Sequence, residues 1–281
     1  MKIIVSKEIG FCSGVRRAIK MAFDICEKNE KIFSIGEIVH NETVMSDFPR
    51  IFVSNEETIY SVNNKDFPVL LRAHGVTKDF ENKINNKYSK VIDLTCPIVY
   101  NVFGLVEKYS SSGYNILVYG KEDHPEVKAI LSRAKRGYVF QKTGEFEEIL
   151  ENFNKDSMVI LISQTTMNSK AYGYYKNILS EKNFKDVQLF DTICDVTIKR
   201  EKAVEELVEK CDAIVVIGGK KSSNTRKLYE IVIKSGVKGY LVQKPEQLNL
   251  SGKIEILGII SGTSTPEKQI NGILNYINES V

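Results

Sequence analysis

The sequence has no apolar stretch approaching the roughly 18 residues that a membrane-spanning helix needs. It has no basic arm or tail and no CxxC pair, and it carries only three histidines and five cysteines in 281 residues. The first absence argues against an integral membrane protein. The second argues against nucleic acid as a partner, because 39 basic residues against 36 acidic ones leave a formal charge of only +3. That balance suits drawing in a small anion at most. The neighbours Lys199 and Arg200, and Lys220 and Lys221, read as solvated faces. Without CxxC pairs the usual four-ligand structural zinc site has no framework. An odd number of cysteines fits poorly with disulfides, and the run from Met1 to Ser6 lacks a basic leader or cleavage site and reads as a first strand. A cytoplasmic chain with reduced thiols is expected. Cys26 and Cys211 lie in helical runs, AIKMAFDICEK and EKAVEELVEKC, and are expected to be buried free thiols.

What is present is a pattern written three times. Hydrophobic residues make up 42% and charged residues 27%, as in ordinary folded domains, and the length favours two or three units over one. After each of Cys12, Cys96 and Cys194 the chain reads a helix and then an apolar strand: IFSIGEIVHN from Ile32, ILVYGKEDHP from Ile116 and IVVIGGKKSS from Ile214. Each strand begins 20 residues after its cysteine, a glycine follows at 24 (Gly36, Gly120, Gly218), and a polar residue at 28 (His40, His124, Ser222). Second strands IFV, YVFQK and YLVQK come next, then third strands that open into the polar loops LLRAHGVT, LISQTTMN and IISGTSTP. In this register His74, Thr165 and Thr263 are equivalent. A fourth strand leads to the next cysteine, and for the last unit the N-terminal run KIIVSKEIGFC ending at Cys12 supplies it.

Apolar strands alternating with helices predict an α/β fold of mainly parallel sheets in three pseudo-threefold-related lobes, 13–96, 97–193 and 194–281, with 1–12 completing the third. In such sheets the loops at the carboxyl ends of the strands carry ligands. The three repeat cysteines and all three histidines fall there, which predicts one central cleft.

Each repeat cysteine precedes a helix start, where free N–H groups favour a thiolate. Three widely separated thiolates suit a metal with an open fourth position. A catalytic zinc and an iron-sulfur cluster with one iron not held by protein both satisfy that donor set. His40, His74 and His124, with Ser222, Ser223, Asn224 and Ser264, offer imidazoles, hydroxyls and helix N-termini suited to a phosphate or diphosphate without a P-loop. Ser264 with Glu267 matches a capping box, and Thr265 is an alternative cap before Pro266. Glu126 is the acid best placed to deliver a proton, its alternative role being a favourable charge in a first helical turn.

The segments GFCSGVRRAI, VHN, AHGV, TCP, GKEDHPEV, SQTT, DTIC, SSNTRKL and GTSTPE, in that order from residue 10 to residue 267, resemble the 4-hydroxy-3-methylbut-2-enyl diphosphate reductase family. The resemblance implies one 4Fe-4S cluster held by Cys12, Cys96 and Cys194, with its open iron facing the substrate. It implies that His40, His74, Ser222, Ser223, Asn224 and Ser264 hold the diphosphate, that His124 and Thr165 act at the substrate, and that Glu126 feeds protons. It also implies an allylic diphosphate substrate, two products (isopentenyl and dimethylallyl diphosphate), and reduced ferredoxin or flavodoxin as electron donor. One departure is the loop Lys121, Glu122, Asp123, more charged than is usual in the family.

Overall fold

A computed structural model of the chain describes residues 1–62 and 65–280. Residues 63, 64 and 281, which the expected first and third lobes include, lie outside the described residues. The chain begins with β1 (Lys2–Val5) and α1 (Ser13–Cys26), followed by β2 (Ile32–Ile35), α2 (Glu42–Met45), β3 (Ile51–Ser54), β4 (Val69–Leu71), α3 (Lys78–Lys87) and β5 (Val91–Asp93). The pattern repeats in α4 (Pro97–Ser111), β6 (Asn115–Tyr119), α5 (Pro125–Leu131), β7 (Gly137–Phe140), α6 (Thr143–Glu151), β8 (Met158–Ser163), α7 (Ser169–Ser180) and β9 (Asp186–Leu189). It recurs in α8 (Asp195–Val208), β10 (Ala213–Ile217), α9 (Ser223–Lys234), β11 (Lys238–Val242), β12 (Ile256–Ser261) and α10 (Glu267–Ser280).

Three four-stranded sheets result, ordered β3-β2-β4-β5, β7-β6-β8-β9 and β11-β10-β12-β1. The sheets share one order, second strand, first, third, fourth, and in the last the fourth place is taken by β1, which pairs parallel with β12 from Lys2↔Ile256 to Val5↔Ile259. The sheets are parallel. Helices cover both faces of such sheets, so inner strands are apolar throughout rather than alternating. Every residue of β6 and of β10 is buried. The expected α/β architecture of three parallel sheets is the one observed.

The helices follow the same economy. α4 starts with Pro97 at its first position, where the missing N–H costs nothing. It buries Val99, Val102, Phe103, Val106 and Ser110, a stripe with helical period facing the sheet. The chain divides into two compact units. One comprises Met1–Lys28, Glu37–Ile51 and Asp195–Val281; the other comprises Asn29–Gly36 and Phe52–Cys194. The first holds the β1-containing sheet, and the second holds the other two.

Three local expectations change. Cys26 closes α1 and is half-buried rather than buried, and Cys211 is buried but lies just beyond the end of α8. Arg200, read from its neighbour Lys199 as part of a solvated face, is only 2% exposed. Its position on α8 coincides with the buried stripe Thr197, Arg200, Glu201, Val204 and Leu207.

Candidate active site

The repeat places each of the three cysteines at the start of a helix and fixes its backbone in the same way. Cys12 and Cys96 are the N-caps of α1 and α4, and Cys194 directly precedes α8. The amide of each donates to a carbonyl in the loop that follows a third strand: Cys12 to Thr263 at 3.1 Å, Cys96 to Ala73 at 2.9 Å and Cys194 to Thr165 at 3.0 Å. The Cys12 sulfur accepts from the Val15 amide at 3.4 Å. All three cysteines are half-buried.

In the unit built from residues 52–194, one carboxyl dominates. Glu126 is the second residue of α5 and is 1% exposed. Burial pushes its pKa from 4.5 up to about 7, against the opposing pull of two hydrogen bonds. These are donated by Thr165, from its backbone N–H to Oε1 at 2.6 Å and from its hydroxyl to Oε2 at 2.9 Å. Thr165 therefore carries Glu126 on its amide and hydroxyl and the Cys194 amide on its carbonyl. His124 caps α5, its Nδ1 accepting from the Glu126 amide at 3.2 Å, so this bond leaves the ring hydrogen to Nε2. The His74 ring meets the His124 ring edge to face, with centroids 5.5 Å apart. The loop before His124 is held by Gln164, whose Oε1 accepts from the Lys121 amide at 3.1 Å. Glu122 and Asp123 are exposed, Lys121 is half-buried, and Asp123 lies 3.4 Å from the Lys128 ammonium.

In the other unit, the polar residues collect where β10 and β12 end. Ser222 caps α9, its hydroxyl accepting from the Thr225 amide at 3.4 Å, and Ser223 and Asn224 form the first turn. Asn224 is 2% exposed; its Oδ1 accepts from the Thr263 amide at 3.1 Å, while its Nδ2 has no hydrogen-bond partner. The Ser264 hydroxyl, on a residue 5% exposed, is likewise unpartnered. Leaving a buried donor unmade costs about 1–3 kcal/mol, and the Asn224 amide, the Thr225 hydroxyl and the Ser264 hydroxyl all hold open hydrogen-bonding capacity at this loop cluster. His40 directly precedes Asn41, which is 1% exposed and donates to the Ser264 carbonyl at 2.8 Å and to Gln269 Oε1 at 2.9 Å. His40 itself lies with Nδ1 3.4 Å from Glu37. Close approach is enforced by glycine: a Cβ on Gly219 would sit 2.3 Å from the His40 carbonyl oxygen, and one on Gly262 would sit 1.9 Å from the Thr225 hydroxyl.

The expected capping roles of the last loop are not observed. The Ser264 hydroxyl makes no cap, and the Thr265 hydroxyl donates instead to the Ile217 carbonyl at 3.0 Å. Asn41, buried and joined to Ser264, is signalled in the sequence by nothing beyond an Asn before Glu-Thr, an ordinary N-cap pattern. Among the described residues no group of three or more His, Cys, Asp or Glu is arranged to hold a metal ion. Cys12 belongs to one unit and Cys96 and Cys194 to the other.

A bacterial protein of Kosmotoga olearia, 4-hydroxy-3-methylbut-2-enyl diphosphate reductase, is 41% identical over 283 residues, covering 99% of this chain and 95% of its own. The reductase of the same name from Pseudothermotoga lettingae is 36% identical over 281 residues, covering 99% and 98%. A solved structure of (E)-4-hydroxy-3-methyl-but-2-enyl diphosphate reductase, described as the terminal enzyme of the non-mevalonate pathway, aligns with a TM-score of 0.70 at 30% identity over 99% of both chains. The Plasmodium falciparum reductase structure shares the fold, with a TM-score of 0.90 at 23% identity over 99% of this chain and 87% of that one. The LytB protein family model matches residues 3–278, and with these relatives it shows that the chain belongs to the LytB family.

Proposed function

We propose that the chain catalyses the reductive removal of the hydroxyl of (E)-4-hydroxy-3-methylbut-2-enyl diphosphate, giving isopentenyl diphosphate and dimethylallyl diphosphate. The overall change consumes two electrons and two protons: the C–O bond breaks, oxygen leaves as water, and a C–H bond forms. An allylic system can take that proton at either end, which accounts for two products.

The observation that carries this reading is Glu126. A carboxyl held at about 7 in a buried setting is half-protonated near neutrality and can give up a proton without water. Thr165, bonded to both its oxygens, orients it and is the natural partner of the departing hydroxyl. His124, whose Nδ1 is occupied by the Glu126 amide, presents its other nitrogen as a donor, with His74 beside it. Asn224 and Ser264 contribute their unpartnered donors to the diphosphate, together with His40, Ser222 and Ser223. Fixing the anionic end sets the allylic alcohol at the distance the chemistry needs.

The donor set also fits a four-iron, four-sulfur cluster on Cys12, Cys96 and Cys194: three soft thiolates, each at a helix start, and no fourth cysteine among them. When bound, such a cluster supplies single-electron storage and an open Lewis-acidic iron. A small reduced carrier, ferredoxin or flavodoxin, is the proposed electron source. No helix among the described residues is long and apolar enough to cross a membrane, and we read the chain as a cytoplasmic enzyme.

Anaerobic reconstitution followed by iron and sulfide analysis, Mössbauer spectroscopy and turnover of the allylic diphosphate with a chemical reductant tests the whole reading. Four irons per chain and reductant-dependent product are expected, and each of Cys12→Ser, Cys96→Ser and Cys194→Ser should lose or convert the cluster. Turnover without reductant, or full iron content in all three variants, would overturn it.

A further inference from the structure

We propose that Arg200 is a positioning residue that holds the Cys12 loop and the Ser264 loop in register; the proposal rests on the roles read above for Cys12 and Ser264. Arg200 is almost completely buried on α8. Its two terminal nitrogens donate to separate loops, Nη2 to the Gly10 carbonyl and Nη1 to the Ser261 carbonyl. Gly10 stands two residues before Cys12 and Ser261 three before Ser264.

Both carbonyls lie where the chain leaves the sheet region and strand pairing no longer supplies partners, so buried acceptors there need another donor. A planar guanidinium meets two carbonyls from a single rigid fork, which an ammonium does not reproduce. The same loops are joined twice more, by the Gly10 amide donating to the Ser261 hydroxyl at 2.8 Å and by the Cys12 amide donating to the Thr263 carbonyl at 3.1 Å. Gly10 takes a φ of +82°, which confines that turn to glycine.

The residue after Arg200 extends the device. Glu201, 4% exposed, pairs with Lys227 Nζ at 2.9 Å, and Lys227 lies one turn along α9 from Asn224. Adjacent positions on one helix thus tie down the loop of Cys12, the loop of Ser264 and the helix of Asn224. Burying charge is costly, and apolar side chains of similar size often serve stability as well. Register between loops is what the charged pair adds.

The test uses anaerobically loaded full-length chain with two readouts other than turnover: the rate of iron loss to a chelator, and the affinity for inorganic pyrophosphate. Arg200→Lys should release iron about tenfold faster and bind pyrophosphate about tenfold more weakly, as expected for loss of a charge-assisted hydrogen bond. Ser261→Ala, which removes the acceptor for the Gly10 amide and the hydroxyl's own donation to the Gly262 carbonyl at 3.2 Å, should move both readouts the same way by less. Ile277→Val, a core change in α10 at a fully buried position, should lower the melting temperature and leave both readouts alone. A folded Arg200→Lys with unchanged iron release and pyrophosphate affinity overturns the proposal, as does an Ile277→Val that shifts them equally. If Arg200→Lys does not fold, Ser261→Ala decides by the same measurements. A parent chain that takes up no iron refutes the cluster reading instead, and pyrophosphate affinity then decides on Arg200 alone.

Discussion

Replacing Glu126 with glutamine separates two consequences of burying a carboxyl. In the folded chain its pKa stands at about 7 rather than 4.5, so the native state binds the proton more tightly than the unfolded state does. The stability associated with that proton is fully present below pH 4.5 and is lost as pH rises through about 7. The interval corresponds to about 3 kcal/mol of folding free energy between acid and mildly alkaline solution. Glutamine imitates the protonated acid. Its carbonyl oxygen accepts from the Thr165 amide, and its NH2 donates to the Thr165 hydroxyl, which accepts as readily as it donates.

Glu126→Gln should therefore match the parent in stability below pH 4.5, exceed it increasingly as pH rises to about 7, and level off above that at about 3 kcal/mol. Turnover should fall by about 10²–10⁴, because the amide neither gives nor takes a proton at neutral pH. Urea unfolding followed by circular dichroism at a series of pH values measures the first effect, and reductant-driven turnover measures the second. A gap between variant and parent that is the same at pH 5 and pH 8 would refute the account of a raised carboxyl, and undiminished turnover would remove Glu126 from the proton path.

Ser264→Ala removes a buried hydroxyl that has no protein partner, so it should raise KM about tenfold while leaving thermal stability unchanged or higher by about 1 kcal/mol; a fall in stability with normal KM would show that the hydroxyl serves the fold. Thr165→Val deletes one hydrogen bond to the carboxylate and keeps the amide one. The Glu126 pKa should rise further, and the alkaline limb of the pH profile of kcat/KM should move to higher pH. Gly219→Ala forces a methyl against the His40 carbonyl. It should cost roughly 1–3 kcal/mol in stability and raise KM, as melting and initial-rate measurements would show.

The sheets were legible because a strand buried on both faces is written as an unbroken apolar run. AIVVI at 213–217 is such a run, and every one of its residues is buried. The equal offsets from the cysteines to Gly36, Gly120 and Gly218 then supplied the repeat without any long-range information. Site details failed where a local motif competed with a distant partner. Ser264 with Glu267 has the spacing of a cap, yet the Ser264 carbonyl is taken by Asn41 and its hydroxyl is left open. Thr265 has the composition of a cap, yet its hydroxyl reaches the end of β10.

Arg200 shows a different failure. Its position is readable, since Thr197, Arg200, Glu201, Val204 and Leu207 follow the helical period, but its charge beside Lys199 points to solvent. Charged residues standing on the buried stripe of a helix are uncommon unless partnered, so the KRE run at 199–201 carried a signal that hydropathy hides. Glu126 lies between these cases. Its neighbourhood was readable from HPE at a helix start, whereas its proton affinity depends on burial and on Thr165, 39 residues further along the chain. Local sequence can nominate an acid, but only the fold removes its water, and it is that removal which lifts the carboxyl's proton affinity toward neutral pH.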